Sequence, residues 1–455
     1  MAQTHVINRL QIEIDVPVED MAFRLKEQLS HYWHDWVVTH MERALEMLSP
    51  GDEIIRIDRL EIDLGNLAFE DFDTDFLEKI QNAFANNLSH YVAANQKPVE
   101  KKDIIGNDQE LLIYFLENGS LPWWSVTPQN LNFNVTIEQL HDRQPDALRA
   151  ILHKVFNLPR ALLRLLFQFE SALINVIISE LFQAENQVGI FKTSLSKIRH
   201  LNNSLSFSEK QSNRLETLLL IRHIKNESPA YSEKDPATII NKAVTLASEE
   251  KWPELMQQLI FQPVSISEAS KVSQQEKQTR QEVNTTEPDG TRFFIRQAGI
   301  ILLAPFLPQF FKKLNLLSEG RFIDSASAHK AVLLLGYLSC GKDEMPEYDL
   351  IFEKILCGLG PNEPIPLALT LTEAERTEAA ELLDALVEHW EVLKSIEGLR
   401  QAFLQREGIL EDKGNHWLLR IERKSFDILL DHRPPPWSFR LLRFSWNPKL
   451  IETVW

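Results

Sequence analysis

Residues 53–67 read EIIRIDRLEIDLGNL. Apolar residues alternate with charge along this stretch, but the phase changes midway: Ile55 and Ile57 share one parity, Leu60, Ile62 and Leu64 the other. Side chains of a strand alternate between two faces, so a slip of one residue carries the whole apolar set to the opposite side. Two arrangements satisfy the pattern. The strand carries an extra residue, a bulge near Asp58-Arg59, or it is covered on both faces. Gly65-Asn66 closes it. Upstream, Leu10, Ile12, Ile14 and Val16 alternate with Gln11, Glu13 and Asp15, which predicts a half-buried strand over Asn8–Val16. Between the two, Leu25, Leu29, Trp33, Trp36, Val37, Met41, Leu45 and Leu48 recur at helical spacing, ended by the turn Ser49-Pro50-Gly51-Asp52. A further helix is predicted from about Asp71 to Tyr91 on Phe76, Ile80, Phe84 and Leu88. Residues 1–93 are thus expected to form a β-α-β-α module.

The carboxylates of this stretch raise a chemical question. Glu61 and Asp63 share a face of a regular strand and Asp58 takes the other. A calcium loop alternates oxygen ligands around a sharp glycine turn, and that turn is missing. A solvated sheet face with Arg56 and Arg59 as cross-strand partners accounts for them more simply. His31 and His34 stand three apart beside Asp35, a spacing that can hold zinc, but no Glu-x-x-His pattern follows. Polar flanks of a Trp-lined helix are the preferred assignment.

A chain of 455 residues can bury more than one core, and its charged content of 25% against 44% apolar is ordinary for a globular protein. The net charge of −17 argues against a surface built on phosphate contacts or on an anionic membrane. The two cysteines, Cys340 and Cys357, form no C-x-x-C pair, so neither a zinc framework nor a redox motif is visible and a reducing compartment is expected. The start lacks the basic and apolar regions of a signal peptide. The most apolar stretch, Ala161–Leu181, is interrupted by Arg164, Gln168, Glu170, Asn175 and Glu180, which predicts a buried amphipathic helix and not a membrane span.

After a polar stretch, Ala94–Asp108, a helical region is expected over residues 109–262. It opens with LLIYFLENGSLPWWS, a short helix stopped by Gly119. Residues 263–291 are poor in aromatics and rich in Ser, Gln, Glu and Lys, the composition of a flexible linker. Residues 292–455 are expected to form an α+β module. There, Thr372-Glu373-Ala374-Glu375 is a capping box, with Leu382, Leu383, Leu386, Val387 and Trp390 as the buried stripe behind it. Strand-like pieces follow at His416–Glu422 and Ser438–Phe444. The predicted fold is mainly α with α+β end modules.

Nucleophilic chemistry has no foothold: no G-x-S-x-G, phosphate-cradling glycine loop or dinucleotide fingerprint occurs. Cys340-Gly341 and Cys357-Gly358 read as helix ends with packed thiols. No catalytic, metal-binding or cofactor-binding residue is therefore assigned, and no cofactor is expected. The candidates that remain are aromatic and basic: Trp123 and Trp124 after Pro122, then Trp437, Arg440, Arg443, Trp446 and Trp455 in the proline-rich end. Tryptophan and arginine anchor protein interfaces, although filling seams within their own domain is the more common use of large aromatics.

Several stretches together resemble the tape measure proteins of contractile injection systems, the phage-tail-like particles of the antifeeding-prophage and insecticidal-cassette type. They are HVINRLQIEIDVP, EIIRIDRLEIDLGNL, FLENGSLPWW, AGIILLAPFLPQFFKKLNLL, HKAVLLLGYLSCG, PEYDLIFEKILCGL, LRQAFLQREGIL and WLLRIERKSFDILL. The resemblance spans about two thirds of the chain, densely at both ends. It implies a non-enzymatic assembly factor that sets inner-tube length and associates with the baseplate hub. Its implied partners are tube and baseplate subunits and further copies of itself, with no nucleic acid and no membrane. It implies a cytoplasmic location during assembly, with carriage inside released particles as a further outcome. A folded scaffold or chaperone absent from the finished tube is the alternative. An enzyme such as a metal-dependent hydrolase would need ligands converging from distant segments.

Overall fold

In the computed structural model the strand that opens at Glu53 stops at Ile57. Described are residues 10–16, 53–57, 59–66, 99–125, 131–201, 208–226, 243–247, 251–261, 291–366 and 371–455, with positions 7, 18, 21, 25, 41, 45, 79, 82 and 83. Strand β1, Glu53–Ile57, pairs antiparallel with β2, Val99–Asp103, in a register that sets Arg56 opposite Glu100 and Ile57 opposite Val99. Beyond Ile57 no partner strand continues among the described residues, and residues 59–66 have no regular structure. The phase change therefore marks the end of a strand, not a bulge within it. Leu60, Ile62 and Leu64 still turn inward to half-burial while Arg59, Glu61 and Asp63 stay exposed. β2 falls inside the stretch expected to be a polar spacer: VEKKD has no apolar alternation of its own, and only its pairing with β1 makes it a strand.

The strand expected over Asn8–Val16 is not formed among the described residues. Positions 10–16 carry no regular structure, and Ile7, Leu10, Ile14 and Val18 are exposed. Met21, Leu25, Met41 and Leu45 are helical, as are Lys79, Asn82 and Ala83, each inside a predicted helix. The β-α-β-α order is thus not confirmed: among the described residues the module shows the antiparallel pair of β1 with β2 and single helical positions.

By its contacts the chain divides into two units, residues 1–111 with 124–132, and residues 112–123 with 133–455. In the first, Arg56 ties β1 to the start of α1, Ile104–Asn118. It donates to Asn107 Oδ1 at 2.7 Å and pairs with Glu110 at 2.5 Å. Its guanidinium lies 3.4 Å from the ring centroid of Trp124.

The second unit is mainly helical with one small sheet. Its helical part comprises α2 (Phe133–Arg143), α3 (Pro145–Val155), α4 (Pro159–Gln168), α5 (Ser171–Leu181), α6 (Glu185–Leu201), α7 (Glu209–Asn226) and α8 (Trp252–Leu259). Proline opens α3 and α4, where a missing N–H costs nothing and φ is preset. The apolar stretch Ala161–Leu181 forms two helices instead of one. Phe169 is extended, and the N–H of Glu170 is taken by Asn134 Oδ1 at 3.1 Å, an acceptor outside the helix. In α5 the buried stripe runs through Ile174, Ile177 and Ile178, and Val176 faces out. Among the described residues no helix is long and apolar enough to cross a membrane. Thr217 of α7 donates to Asn175 of α5 at 2.6 Å, and Trp252 of α8 meets Phe167 of α4 edge-on at 5.7 Å.

The rest of the unit closes on a five-stranded sheet. It contains β3 (Arg292–Ile295), α9 (Leu307–Lys313), the short pair β4 (Leu317–Ser318) and β5 (Arg321–Phe322), α10 (Ser325–Cys340), α11 (Ile351–Leu356) and α12 (Glu373–His389). Then come α13 (Ile396–Leu399), β6 (Gly408–Asp412), β7 (His416–Ile421), α14 (Ile428–His432), β8 (Leu441–Leu442) and β9 (Leu450–Val454). Sheet order is β3-β6-β7-β9-β8, antiparallel except for β7 with β9. The expected strand at His416–Glu422 is β7, and the one at Ser438–Phe444 shrinks to two residues. Thr372 caps α12 as the capping box requires: its hydroxyl accepts from the Glu375 N–H, and Glu375 accepts from the Thr372 N–H at 2.7 Å. Leu383, Leu386 and Trp390 are buried behind it.

At the centre of the core lies a 3₁₀ segment, Ala298–Phe306, buried from Ala298 to Ala304. It presses on the backbone of the wide turn Arg400–Leu404, and a Cβ on Gly299 would stand 1.6 Å from the Phe403 carbonyl oxygen. Gly299→Ala should therefore unfold or markedly destabilise the protein. Gly189→Ala, on an open face of α6 with nothing within 4 Å, should stabilise it by about 0.5–1 kcal/mol. Urea denaturation of both variants checks the pair.

Candidate functional site

Helix α4 reads PRALLRLLFQ, and its inward face includes one charge. Arg164 is as fully buried as Leu162 and Leu165 on either side of it. A guanidinium in a dry interior needs all its donors placed. Nη1 donates to the carbonyls of Leu116 at 2.9 Å and Glu117 at 3.1 Å, in the last turn of α1 where helical partners have run out. Nη2 donates to Asn362 O at 2.6 Å, and Nε to Glu347 Oε1 at 3.0 Å. The same carboxylate oxygen accepts from Lys354 Nζ at 2.7 Å, and that ammonium also donates to Pro361 O at 3.2 Å. Arg164, Glu347 and Lys354 are all completely buried.

Gly119 makes room for this cluster. It ends α1 in the left-handed region at φ 72°, and a Cβ there would fall 2.4 Å from Glu347 Oε1 and 2.5 Å from Arg164 Nη2. Gln168, one turn further along α4, accepts from the Glu347 N–H at 3.1 Å. Beside the ions, Phe115 and Phe133 stack at 4.9 Å, and Tyr348 meets them edge-on at 5.6 and 5.9 Å. Burial pushes the Tyr348 hydroxyl up to about 12. The helical array and the sheet-containing part thus meet through an ionic and aromatic joint on the segment Glu347–Lys354.

The electrostatics of the joint follow from its dryness. Burial pulls the Lys354 ammonium below its ordinary range, and Glu347 pulls it back. Glu353, next along α11, is fully buried with neither carboxylate oxygen hydrogen-bonded, and burial pushes its pKa up to about 8. It is therefore a neutral acid at neutral pH. Cys340 and Cys357 lie nearby, and burial raises both thiols, the second well above the usual range. Neither is poised as a thiolate nucleophile.

Among the described residues no group of three or more His, Cys, Asp or Glu could hold a metal ion. Asp63 accepts from the Gly65 N–H at 2.8 Å, and Glu61 pairs with Arg59, so these two carboxylates serve local turns and pairs. Asp58, His31, His34 and Asp35 lie outside the described residues. The larger cleft, about 540 Å³, runs between the end of α1 and the sheet, lined among others by Tyr114, Asn118, Asn362, Trp417 and Lys449.

Of the seven interface candidates, Trp123 is exposed and Trp124 lies under Arg56. Trp437, Trp446 and Trp455 are half-buried, and each indole N–H is satisfied internally: by Leu302 O at 3.1 Å, Leu356 O at 3.0 Å and Asp427 Oδ2 at 3.2 Å. Trp446 stacks on Phe444 at 4.8 Å, and Arg406 lies over Trp455 at 5.7 Å while pairing with the buried Asp427 at 2.7 Å. A cleft of about 180 Å³ brings Trp437, Arg440 and Trp455 together. Arg443 is exposed elsewhere on the same edge, and Trp446 faces a different seam. Sequence reasoning missed Arg164, Glu347, Lys354 and Glu353. The signal available was a charge inside an otherwise apolar helix face, and the EK pair within LIFEKIL.

Two outcomes test this electrostatic account. Glu347→Ala leaves Arg164 and Lys354 buried without a counter-charge and should cost about 3–5 kcal/mol in urea denaturation. Because Glu353 holds its proton in the folded state up to about pH 8 but releases it in the unfolded chain near 4.5, stability should fall as pH rises between those values. The slope should be roughly 1.4 kcal/mol per unit. Glu353→Gln should flatten that slope in a pH series of melts.

Comparison with known proteins places the whole chain. A family model described as contractile injection system tape measure protein matches residues 4–455. No curated protein and no solved structure matches it.

Proposed function

The chain belongs to the contractile injection system tape measure protein family, and on that premise we propose that it is a non-enzymatic assembly factor that sets the length of the particle's inner tube. The observation that carries this is the extent of the match: residues 4–455 include both ends and the helical part between them. Its partners are inner-tube and baseplate-hub subunits and further copies of the chain, met in the cytoplasm during assembly.

Geometry constrains how such a ruler works. A compact body of this length would have a radius of gyration of about 22 Å, whereas the same chain as continuous helix would reach about 680 Å. Only an extended form can span a long tube. We propose that the folded state is the form in which the protein is made and delivered, and that residues 126–290 open within the particle while the end modules anchor. Opening would separate α4 from the Glu347–Lys354 segment and expose Arg164.

The buried joint also favours a second possibility, a folded scaffold that helps build the baseplate and is then left behind. Mass spectrometry of purified particles separates the two, since a scaffold would be missing. For the ruler, removing about 40 residues from 126–290 should shorten particles by up to about 60 Å at a helical rise per residue. Electron microscopy of a deletion and insertion series reads the lengths, and unchanged lengths would reject the ruler role.

A further inference from the structure

One face of the C-terminal sheet packs on the core, through Phe293, Ile295, Leu410, Leu419 and Ile451. The other face is not the polar surface that a one-sided sheet normally turns to water. Register sets Phe294, Ile409, Arg420 and Val454 side by side across β3, β6, β7 and β9. Phe294, Ile409 and Val454 are 52%, 40% and 46% exposed. In the next row Leu418 and Glu411 are buried, beside Glu452, and Leu441 ends the row, 62% exposed.

Charge on this face is uneven. Arg292 pairs with Glu411 at 3.2 Å and His416 approaches Glu452 at 3.5 Å. Arg420 stands exposed in the middle of the apolar row, with no ionic partner among the described residues. Arg443, exposed, follows β8 at the edge, while Arg440 takes the opposite parity and lines the cleft with Trp437 and Trp455. A chain of net charge −17 therefore presents two open guanidinium groups, Arg420 and Arg443, beside a stripe of aliphatic and aromatic side chains.

Across β3, β6, β7 and β9, four to six residues long and about 4.8 Å apart, the face measures roughly 14 Å by 17 Å, on the order of 240 Å². A second copy laid face to face would set arginine against arginine. An α-helix is about 10 Å across, so three turns cover this face. The geometry points to a docking site for an acidic amphipathic helix of a partner protein, whose apolar stripe covers Phe294, Ile409 and Val454 and whose carboxylates pair with Arg420 and Arg443. The site stands on the sheet alone and does not require the ruler role.

A photo-crosslinking side chain at position 409, in the full chain expressed with the other particle components, tests it. The expected adduct joins position 409 to a partner segment that mass spectrometry identifies as amphipathic and acidic. Arg420→Glu in the same chain should cut its yield at least tenfold, while Arg160→Glu, an equal charge change on exposed α4, should leave it unchanged. An adduct to a second copy of this chain, to lipid or to a basic segment would overturn the assignment. So would the absence of any adduct, or equal loss with both charge changes. Particle length in the deletion series is read separately, so failure of one leaves the other legible.

Discussion

In the second unit the joint between the helical array and the sheet-containing part depends on one guanidinium that has left water. Arg164 must satisfy its donors inside the protein, and four of the acceptors it uses belong to segments far from it in sequence: the end of α1, Glu347 and the Asn362 carbonyl. Desolvating such a group is costly, and a well-packed apolar side chain in its place would often be as stable. What the ion adds is uniqueness of docking. An apolar face can slide by a turn over another apolar face, but a fork that must meet three carbonyls and a carboxylate has one position. The absence of a Cβ at Gly119 and the edge-on Tyr348 fix the same geometry from two other sides.

The sheet-containing part repeats the device on a smaller scale. Arg406 and Asp427 pair in the interior and collect the Lys424 N–H, the Glu422 carbonyl and the Trp455 indole. Both clusters tie separate segments, and both sit where secondary structure leaves carbonyls or N–H groups without partners. This is a protein whose buried charges hold elements in place. Its exposed chemistry is confined to surface, above all the outer face of the sheet.

Much of the local structure was legible in the sequence because it rests on local rules. The Thr372 capping box, the stop at Gly119 and the left-handed glycines after Cys340 and Cys357 all involve residues within one turn of each other. β7 was legible too, since WLLRI carries its own β-branched and aromatic character. β2 was not, because VEKKD becomes a strand only through pairing with β1. The same holds for the break at Phe169, made by Asn134 from another helix. The three C-terminal tryptophans were visible as candidates, but sequence cannot say that their N–H groups find acceptors in Leu302, Leu356 and Asp427. Arg164 was read only as an interruption of an apolar run, since its meaning lies in a carboxylate 183 residues away.

The topology of the sheet has a kinetic side. β9 lies between β7 and β8, although the ribosome makes it after both. Until residues 450–454 have emerged, β8 has no strand to pair with and the inner edge of β7 is open. Closure of this module therefore waits on its most distal segment, and a nascent chain arrested before that point displays an unpaired, apolar strand edge of the kind that recruits chaperones or aggregates.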